Sequence, residues 1–351
     1  MTHWLHQRFG IEHPIIQAPM AGVSSPAMAA AVCNAGGMGS LGVGAMTADA
    51  ARDAIHETRA LTQKPFNINV FCHGVVARDA EVEAAWIEAM APMFQRFEVS
   101  PPDALSEIYQ SFLTNNAMQE MLVHEAPAVV SFHFGLPPVS VISALKQAGV
   151  TLFASATSLD EARACQAAGI DAVVAQGIEA GGHRGIFDPA GPDAQLSTGD
   201  LVQQLVTKID LPIVAAGGIM TGADIAQMLS LGASAAQLGT AFIACDESLA
   251  DPAYRAALRA PASHPATLTP AVSGRPARCL RNRFIDWSEH TEASIPAYPV
   301  AYDAAKALGA AAKSAGESGY GAQWSGAGGL QATDGSTGEI MARLVVEMLQ
   351  A

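Results

Sequence analysis

Charge is scarce in this chain, and basic charge scarcest. Only 15% of residues are Asp, Glu, Lys or Arg, with 19 basic against 33 acidic side chains and a net charge of −14. A phosphate backbone needs a basic face, so nucleic acid is excluded as a partner. Cysteine is equally sparse. Cys33, Cys72, Cys165, Cys245 and Cys279 are odd in number and never form a C-x-x-C pair. That argues against a disulfide frame or a zinc site, and for reduced thiols in the cytoplasm. No apolar run reaches the length of a membrane span, and the opening MTHWLHQRFGIEH has no signal-peptide core. What is abundant is apolar side chain, 50% of 351 residues, enough for one large core. The expectation is a cytoplasmic, metal-free protein with no membrane partner, open to homo-oligomer formation.

Apolar runs alternate with amphipathic stretches along most of the chain. PIIQAPMAG reads as a first strand, followed by a helix over SPAMAAAVCNAG with Pro26 near its start. MGSLGVG and TADAARDAIHETRAL form the second pair, and FNINVF the third strand. A helical excursion follows over about residues 75–125, broken by VSPPDA. The pattern resumes with AVVSFHFG, TLFASA, DAVVAQG, PIVAAGG and AAQLGTAF as strands four to eight, the first four of them followed by a helical stretch. Near-continuous apolar runs suit parallel strands buried on both faces. Eight of them predict an α/β fold of the closed (β/α)8 TIM-barrel type rather than an open sheet. Residues 1–259 are assigned to the barrel with its excursion. Residues 260–351 are read as a cap over the barrel mouth plus the closing helix TGEIMARLVVEML.

Gly37, Gly39 and Gly42 match the dinucleotide fingerprint G-x-G-x-x-G, but they follow a helix and lead into a strand. The fingerprint needs the opposite order, so this stretch is read as a turn.

In such barrels chemistry sits at the C-terminal ends of the strands. Gln17, Pro19, Met20 and Ala21 end the first strand; Asn67 and Asn69 lie on the third; Ser131, His133 and Gly135 end the fourth. Gly217 and Gly218 after the seventh strand, and Gln237, Leu238, Gly239 and Thr240 at the eighth, bare their backbone amides where this fold holds phosphate. Tight turns alone would also explain these glycines. One phosphate cup suits a mononucleotide such as FMN better than FAD or NAD. In QGIEAGGHRG, Gly181 and Gly182 let backbone approach a ligand, Gln176 can bond a flavin edge, and His183 is delivered over the pocket. His133 joins it from the fourth strand; Glu179 and Arg184 are read as surface charges. Tyr298, Tyr302 and Lys306 are spaced by four, so on a helix they share one face, either a site wall or an ordinary amphipathic side.

These blocks resemble the class I nitronate monooxygenases, once called 2-nitropropane dioxygenases. PIIQAPMAG, VVSFHFG, QGIEAGGHRG, PIVAAGGI, AAQLGTAF, SGRPAR and YPVAYDAAK are similar to that family's blocks in its order, with AQWSGAGG a looser match. The resemblance implies non-covalent FMN held at Met20, Ala21, Asn69, Gln176, Gly181, Gly218, Gln237, Gly239 and Thr240. It implies His183 as the active-site histidine with His133 beside it, and Tyr298, Tyr302 and Lys306 on the substrate side. It further implies oxidation of an alkyl nitronate, with propionate 3-nitronate as the expected substrate, by O2 to a carbonyl compound and nitrite through a flavin semiquinone.

The alternative is a flavin-dependent NAD(P)H enoyl-thioester reductase. Arg255, Arg259, Arg275, Arg278, Arg281 and Arg283 cluster in an arginine-poor chain, and could dock an acidic carrier protein or steer an anionic nitronate. A non-catalytic flavin-binding barrel would not require two histidines and two tyrosines at one pocket.

Overall fold

The computed structural model describes residues 3–351. Eleven strands occur in chain order: β1 Ile15–Gln17, β2 Ser40–Gly42, β3 Asn67–Phe71, β4 Val129–His133, β5 Thr151–Ala156, β6 Ala172–Gln176, β7 Gly182–His183, β8 Ile213–Ala216, β9 Ala235–Leu238, β10 Thr267–Thr269 and β11 Ala277–Cys279. All but β7, β10 and β11 pair in parallel in the order β1-β9-β8-β6-β5-β4-β3-β2. A parallel bridge between Ile16 and Met38 joins the two ends, with Met38 N donating to Ile15 O and Gln17 N to Met38 O, each at 2.9 Å. The sheet is therefore an eight-stranded barrel, whose seventh and eighth staves are β8 and β9.

The apolar runs bury on both sides, as their lack of alternation requires. Outward residues such as Ile68, Val130, Leu152, Val173 and Ile213 pack under the helical ring. Ile16, Val129, Phe153, Val174 and Val214 fill a second cluster with Leu5 of the first helix, Trp4–Phe9. Trp4 and Phe9 lie 5.6 and 6.5 Å from the Phe153 ring, so that helix plugs the N-terminal end of the barrel. Access is left to the C-terminal ends. Gly39 is a packing residue, since a Cβ there would lie 2.0 Å from the carbonyl oxygen of Ala29. No helix among the described residues is long and apolar enough to cross a membrane.

Two segments lie differently from the sequence expectation. The excursion helix Ala80–Gln95 buries Trp86, Met90 and Phe94 in one cluster with Phe284, Ile285, Val300, Ala304 and Leu308 of the cap. Its apolar stripe found its partner in the helix Val300–Ser314, not on the barrel wall. The final helix, Thr337–Gln350, packs against the helices Gly222–Ser230 and Pro26–Asn34 and takes the eighth place in the outer ring. Over the barrel mouth, β10, β11 and β7 form a small antiparallel sheet in which Ala277 faces His183 and Arg278 faces Gly182.

Candidate active site

Two loops at adjacent strand ends present bare backbone. After β8, Gly217 and Gly218 take φ of +123° and +69°, which a side chain would strain. Among the described residues, the amides of Gly217, Gly218 and Ile219 have no acceptor, and neither do those of Gly239 and Thr240 after β9. Gln237 also keeps its side-chain amide free of protein bonds, whereas Leu238 is in the core. Glu179 supports this cup from behind: its Oε2 accepts from Thr198 N at 3.0 Å and Thr198 Oγ1 at 2.9 Å. It is thus a structural carboxylate and not the surface charge expected. Met20 lies beside Gly239, its N donating to Ser24 Oγ at 3.0 Å, with Ala21 next to it. Asn69 donates to Ser131 Oγ at 2.9 Å and is locked across β3 and β4.

The loop after β6 is held by its own protein contacts. Gln176 Nε2 donates to His183 O at 3.0 Å and Oε1 accepts from Gly185 N at 2.7 Å, so its amide braces the loop. A Cβ at Gly181 would meet Gly326 N at 2.4 Å; the close neighbour of this glycine is the cap. Arg184, expected on the surface, is 3% exposed and forks onto Asp193 at 2.8 Å while donating to Gln176 O at 2.7 Å. An aliphatic stem and two fixed acceptors draw it inward.

His183 sits where β7 meets β11. Its ring is 4.9 Å from Trp324, 5.4 Å from Tyr298, 5.6 Å from Phe134 and 6.3 Å from Tyr302. Nε2 lies 2.9 Å from Ser273 Oγ, and Nδ1 has no partner among the described residues. Ser273 Oγ is in turn 3.2 Å from Arg275 O and 3.4 Å from Arg275 N. His133 is fully engaged. Its Nε2 faces the carbonyl oxygen of His183 at 3.2 Å and must donate there, so Nδ1, 2.8 Å from Ser155 Oγ, accepts. It holds the His183 backbone. Phe134, following it, has φ +75°, a strained position for a large residue that places its ring beneath both imidazoles.

Burial dominates the electrostatics. It lowers His183 to about 3, with help from His133, Arg275 and His73. His133 falls to about 4 by burial, partly opposed by the His183 carbonyl. His73 falls to about 4 by burial and then by the nearby Arg275 charge. Burial raises the Tyr298 and Tyr302 hydroxyls well above their usual range. At neutral pH the imidazoles are uncharged, and the formal charge among them is the Arg275 guanidinium, itself lowered only to about 10.

Tyr302 and Lys306 share a helix face as the spacing predicts, but Tyr298 precedes that helix, which starts at Val300 behind Pro299. Lys306 Nζ donates to Tyr109 OH at 2.9 Å and reaches the rings through that tyrosine. A cavity of about 530 Å³ touches Tyr302 and Lys306 from the outer side; its walls come from residues 251–323 and none from the barrel strand ends.

The arginine cluster is not a patch. Arg255 donates to the carbonyls of Ala244, Ser248 and Ala250, and Arg278 to those of Ile178 and Ala266. Arg259 pairs with Asp334, Arg281 with Asp286 and Glu289, and Arg283 with Glu317. Arg275 alone enters the site, its guanidinium 4.2 Å above the Phe134 ring. Sequence reasoning missed His73, Tyr109, Phe134, Ser273 and Trp324. VVSFHFG, SGRPAR and AQWSGAGG contain Phe134, Ser273 and Trp324; nothing local marked His73 or Tyr109.

The nitronate monooxygenase family model matches residues 3–347. A nitronate monooxygenase of Paraburkholderia phytofirmans is 57% identical over 343 residues, covering 97% of this chain and 94% of that protein. The solved structure of nitroalkane oxidase from Streptomyces ansochromogenes superposes with a TM-score of 0.90 at 40% identity, covering 99% of this chain and 98% of the other. FabK from Thermotoga maritima follows at 0.75 and 28% identity, covering 100% and 97%. With a family match over nearly its full length, a barrel of the same architecture and its histidines at the strand ends, the chain belongs to the nitronate monooxygenase family and is an oxidoreductase.

Proposed function

We propose that the protein uses non-covalently bound FMN to oxidise alkyl nitronates with O2, giving a carbonyl compound and nitrite. The observation that carries this reading is the grouping around His183: the buried His73, the half-buried His133 and His183, and the buried Arg275 guanidinium stacked on Phe134, whose environment holds all three imidazoles neutral. A pocket with that balance favours an anionic substrate. A histidine lowered to about 3 is a feeble base towards a carbon acid. The pocket therefore suits a nitronate, which arrives already deprotonated.

The residues present fit FMN. The free amides of Gly217–Ile219 and Gly239–Thr240 suit one phosphate, and Met20, Ala21, Asn69, Gln176, Gly181, Gly182 and Gln237 stand at the same C-terminal strand ends, with Leu238 behind them in the core. FMN, when bound, supplies the electron-accepting and O2 chemistry that side chains lack. The protein's part is placement. We read the Ser273 hydroxyl, which has both Arg275 O at 3.2 Å and His183 Nε2 at 2.9 Å within reach, as donating to the nearer imidazole while accepting from Arg275 N. That leaves Nδ1–H as a donor towards a nitronate oxygen. Tyr298, Tyr302, Phe134 and Trp324 wall the imidazole from water, which strengthens that bond. The five free, buried cysteines support a reducing, cytoplasmic location.

Purified protein should be yellow and release intact FMN on heating. With ethyl nitronate it should consume O2 and form nitrite. Flavin that stays covalent, or O2 uptake without nitrite, contradicts the proposal.

A further inference from the structure

We infer that the outer cavity, between the helices Pro252–Arg259 and Val300–Ser314, is the vestibule through which an anionic nitronate reaches His183. Lys306 is its lure and the Tyr302 ring its door. This rests on nitronate oxidation at His183 as proposed above.

Elsewhere the cap is fastened to the barrel. On the β6 and β9 side, Ala327 N donates to Glu179 O at 3.0 Å, Gly326 N to Thr240 Oγ1 at 2.9 Å and Arg278 Nη2 to Ile178 O at 2.9 Å. On the β3 side, Phe112 N donates to Phe71 O at 2.8 Å and Ser111 Oγ to His73 O at 2.6 Å. Ser106 N donates to Asp303 Oδ2 at 2.8 Å and ties the excursion to the helix Val300–Ser314. The Trp4–Phe9 helix plugs the far end of the barrel.

The cavity is different. Its volume of about 530 Å³ lies in the range of small-molecule sites. Tyr302 lines it, and the same ring lies 6.3 Å from the His183 ring, so one side chain borders both spaces. Packed at 5.6 Å from Tyr109 and 6.1 Å from Trp324, that ring has no room to turn inwards. It has room to swing outwards. Ala305 and Gly309, three and seven residues along the same helix, keep the cavity side free of bulk.

The charge on the wall suits an anion. Of its four charged side chains, Asp251 pairs with Lys313 at 2.9 Å, and Glu317 with Arg96 at 2.8 Å and with Arg283. Lys306 is exposed and has no carboxylate within ion-pair distance among the described residues. Its Nζ rests on Tyr109 OH at 2.9 Å, and lies 5.1 and 5.7 Å from the centres of the Tyr109 and Tyr302 rings. A chain of net charge −14 repels a nitronate, and an unpaired cation beside the door offsets that repulsion locally.

All five native cysteines are buried, so a cysteine placed on the cavity wall is the one a thiol reagent reaches. Ala310→Cys, at an exposed point of the wall, is tagged with a sulfonatoethyl or a trimethylammonioethyl methanethiosulfonate. The tagged holoenzyme is mixed anaerobically with ethyl nitronate and followed at the flavin absorbance. The slope of the rate against nitronate concentration should fall by about tenfold or more with the anionic tag, and less with the cationic one. The plateau at saturation should hold, and dithiothreitol should restore the slope. Lys306→Met should lower the slope by about tenfold and abolish its decline with added salt. Tyr302→Ala, which leaves the passage open, should raise the quenching of bound flavin fluorescence by iodide. Tags that leave the slope unchanged, or that lower the plateau as much as the slope, would overturn the vestibule. Iodide quenching at the wild-type level in Tyr302→Ala would refute the door. If Ala310→Cys does not fold, Ala253→Cys on the facing helix must show the same pattern. An enzyme that oxidises no nitronate would refute the proposed function; either tag must then still slow the flavin spectral change on binding nitroethane, and an unslowed change refutes the vestibule.

Discussion

The two ends of the site are made of different material. At Gly217–Ile219 and Gly239–Thr240 the ligand-facing groups are backbone amides, set by positive φ and by the β8 and β9 strand ends. Around His183 they are side chains delivered by β4, β7, the loop after β3, the β10–β11 hairpin and the segment before Val300, packed ring against ring. Amides fixed by the fold are the end we propose for the cofactor's phosphate, whatever else the pocket does. A cluster of imidazoles, phenols and one guanidinium owes its charge state to burial, so it sets the substrate. Changes at one end should affect cofactor retention and at the other turnover.

The sharpest break of this division is His183→Asn. It should lower kcat/KM for nitronates by about a hundredfold or more, the usual worth of a preorganised hydrogen-bond donor to an anionic oxygen, with FMN content unchanged. Loss of flavin instead would place His183 in the cofactor's half. The converse is Gly218→Val. At φ +69°, with Glu179 Cβ 2.9 Å from the new Cβ, FMN affinity should drop by roughly tenfold or more, given that αL strain alone is about 1–2 kcal/mol. The folded apo protein should keep its aromatic near-ultraviolet signal; a protein that keeps its flavin argues against the cup.

Ser273→Ala is a finer probe. Freed of one neutral hydrogen bond, His183 should lose about two- to tenfold in kcat, with KM and flavin content little changed. A wild-type rate would show that Ser273 does not set the imidazole's tautomer.

The smallest effect concerns pH. His73, His133 and His183 have folded pKa values of about 4, 4 and 3, below the usual 6.5. Unfolding therefore takes up protons below pH 6.5, and stability present above that pH is lost as pH falls towards 4. Tm should decline over this window, and less steeply in His73→Phe. Turnover of a preformed nitronate should show no inflection near 6.5, since His183 stays neutral; an inflection there contradicts the burial argument.

The barrel was legible because Val129–His133, Ala172–Gln176 and Ile213–Ala216 are too uniformly apolar for half-exposed strands. The bare strand-end amides were legible because Gly217, Gly218 and Gly239 follow directly on the apolar runs of β8 and β9. The side-chain half was less so. The stripe of Trp86, Met90 and Phe94 announces that a partner exists without naming it, and the cap helix that covers it lies some two hundred residues away in sequence. Six arginines in thirty residues looked like a surface field, yet internal carbonyls and local carboxylates take all but one. His73 and Arg275 become neighbours only through β3 and the cap folding over one another, which no local spacing encodes.

The account rests on nitronate, not reduced nicotinamide, being the electron donor. The direct measurement is anaerobic mixing of the purified holoenzyme with propionate 3-nitronate and, separately, with NADH and NADPH, followed at the flavin absorbance. The flavin spectrum should change rapidly with the nitronate alone. Bleaching by a nicotinamide, with no response to nitronate, would contradict the account and favour the reductase.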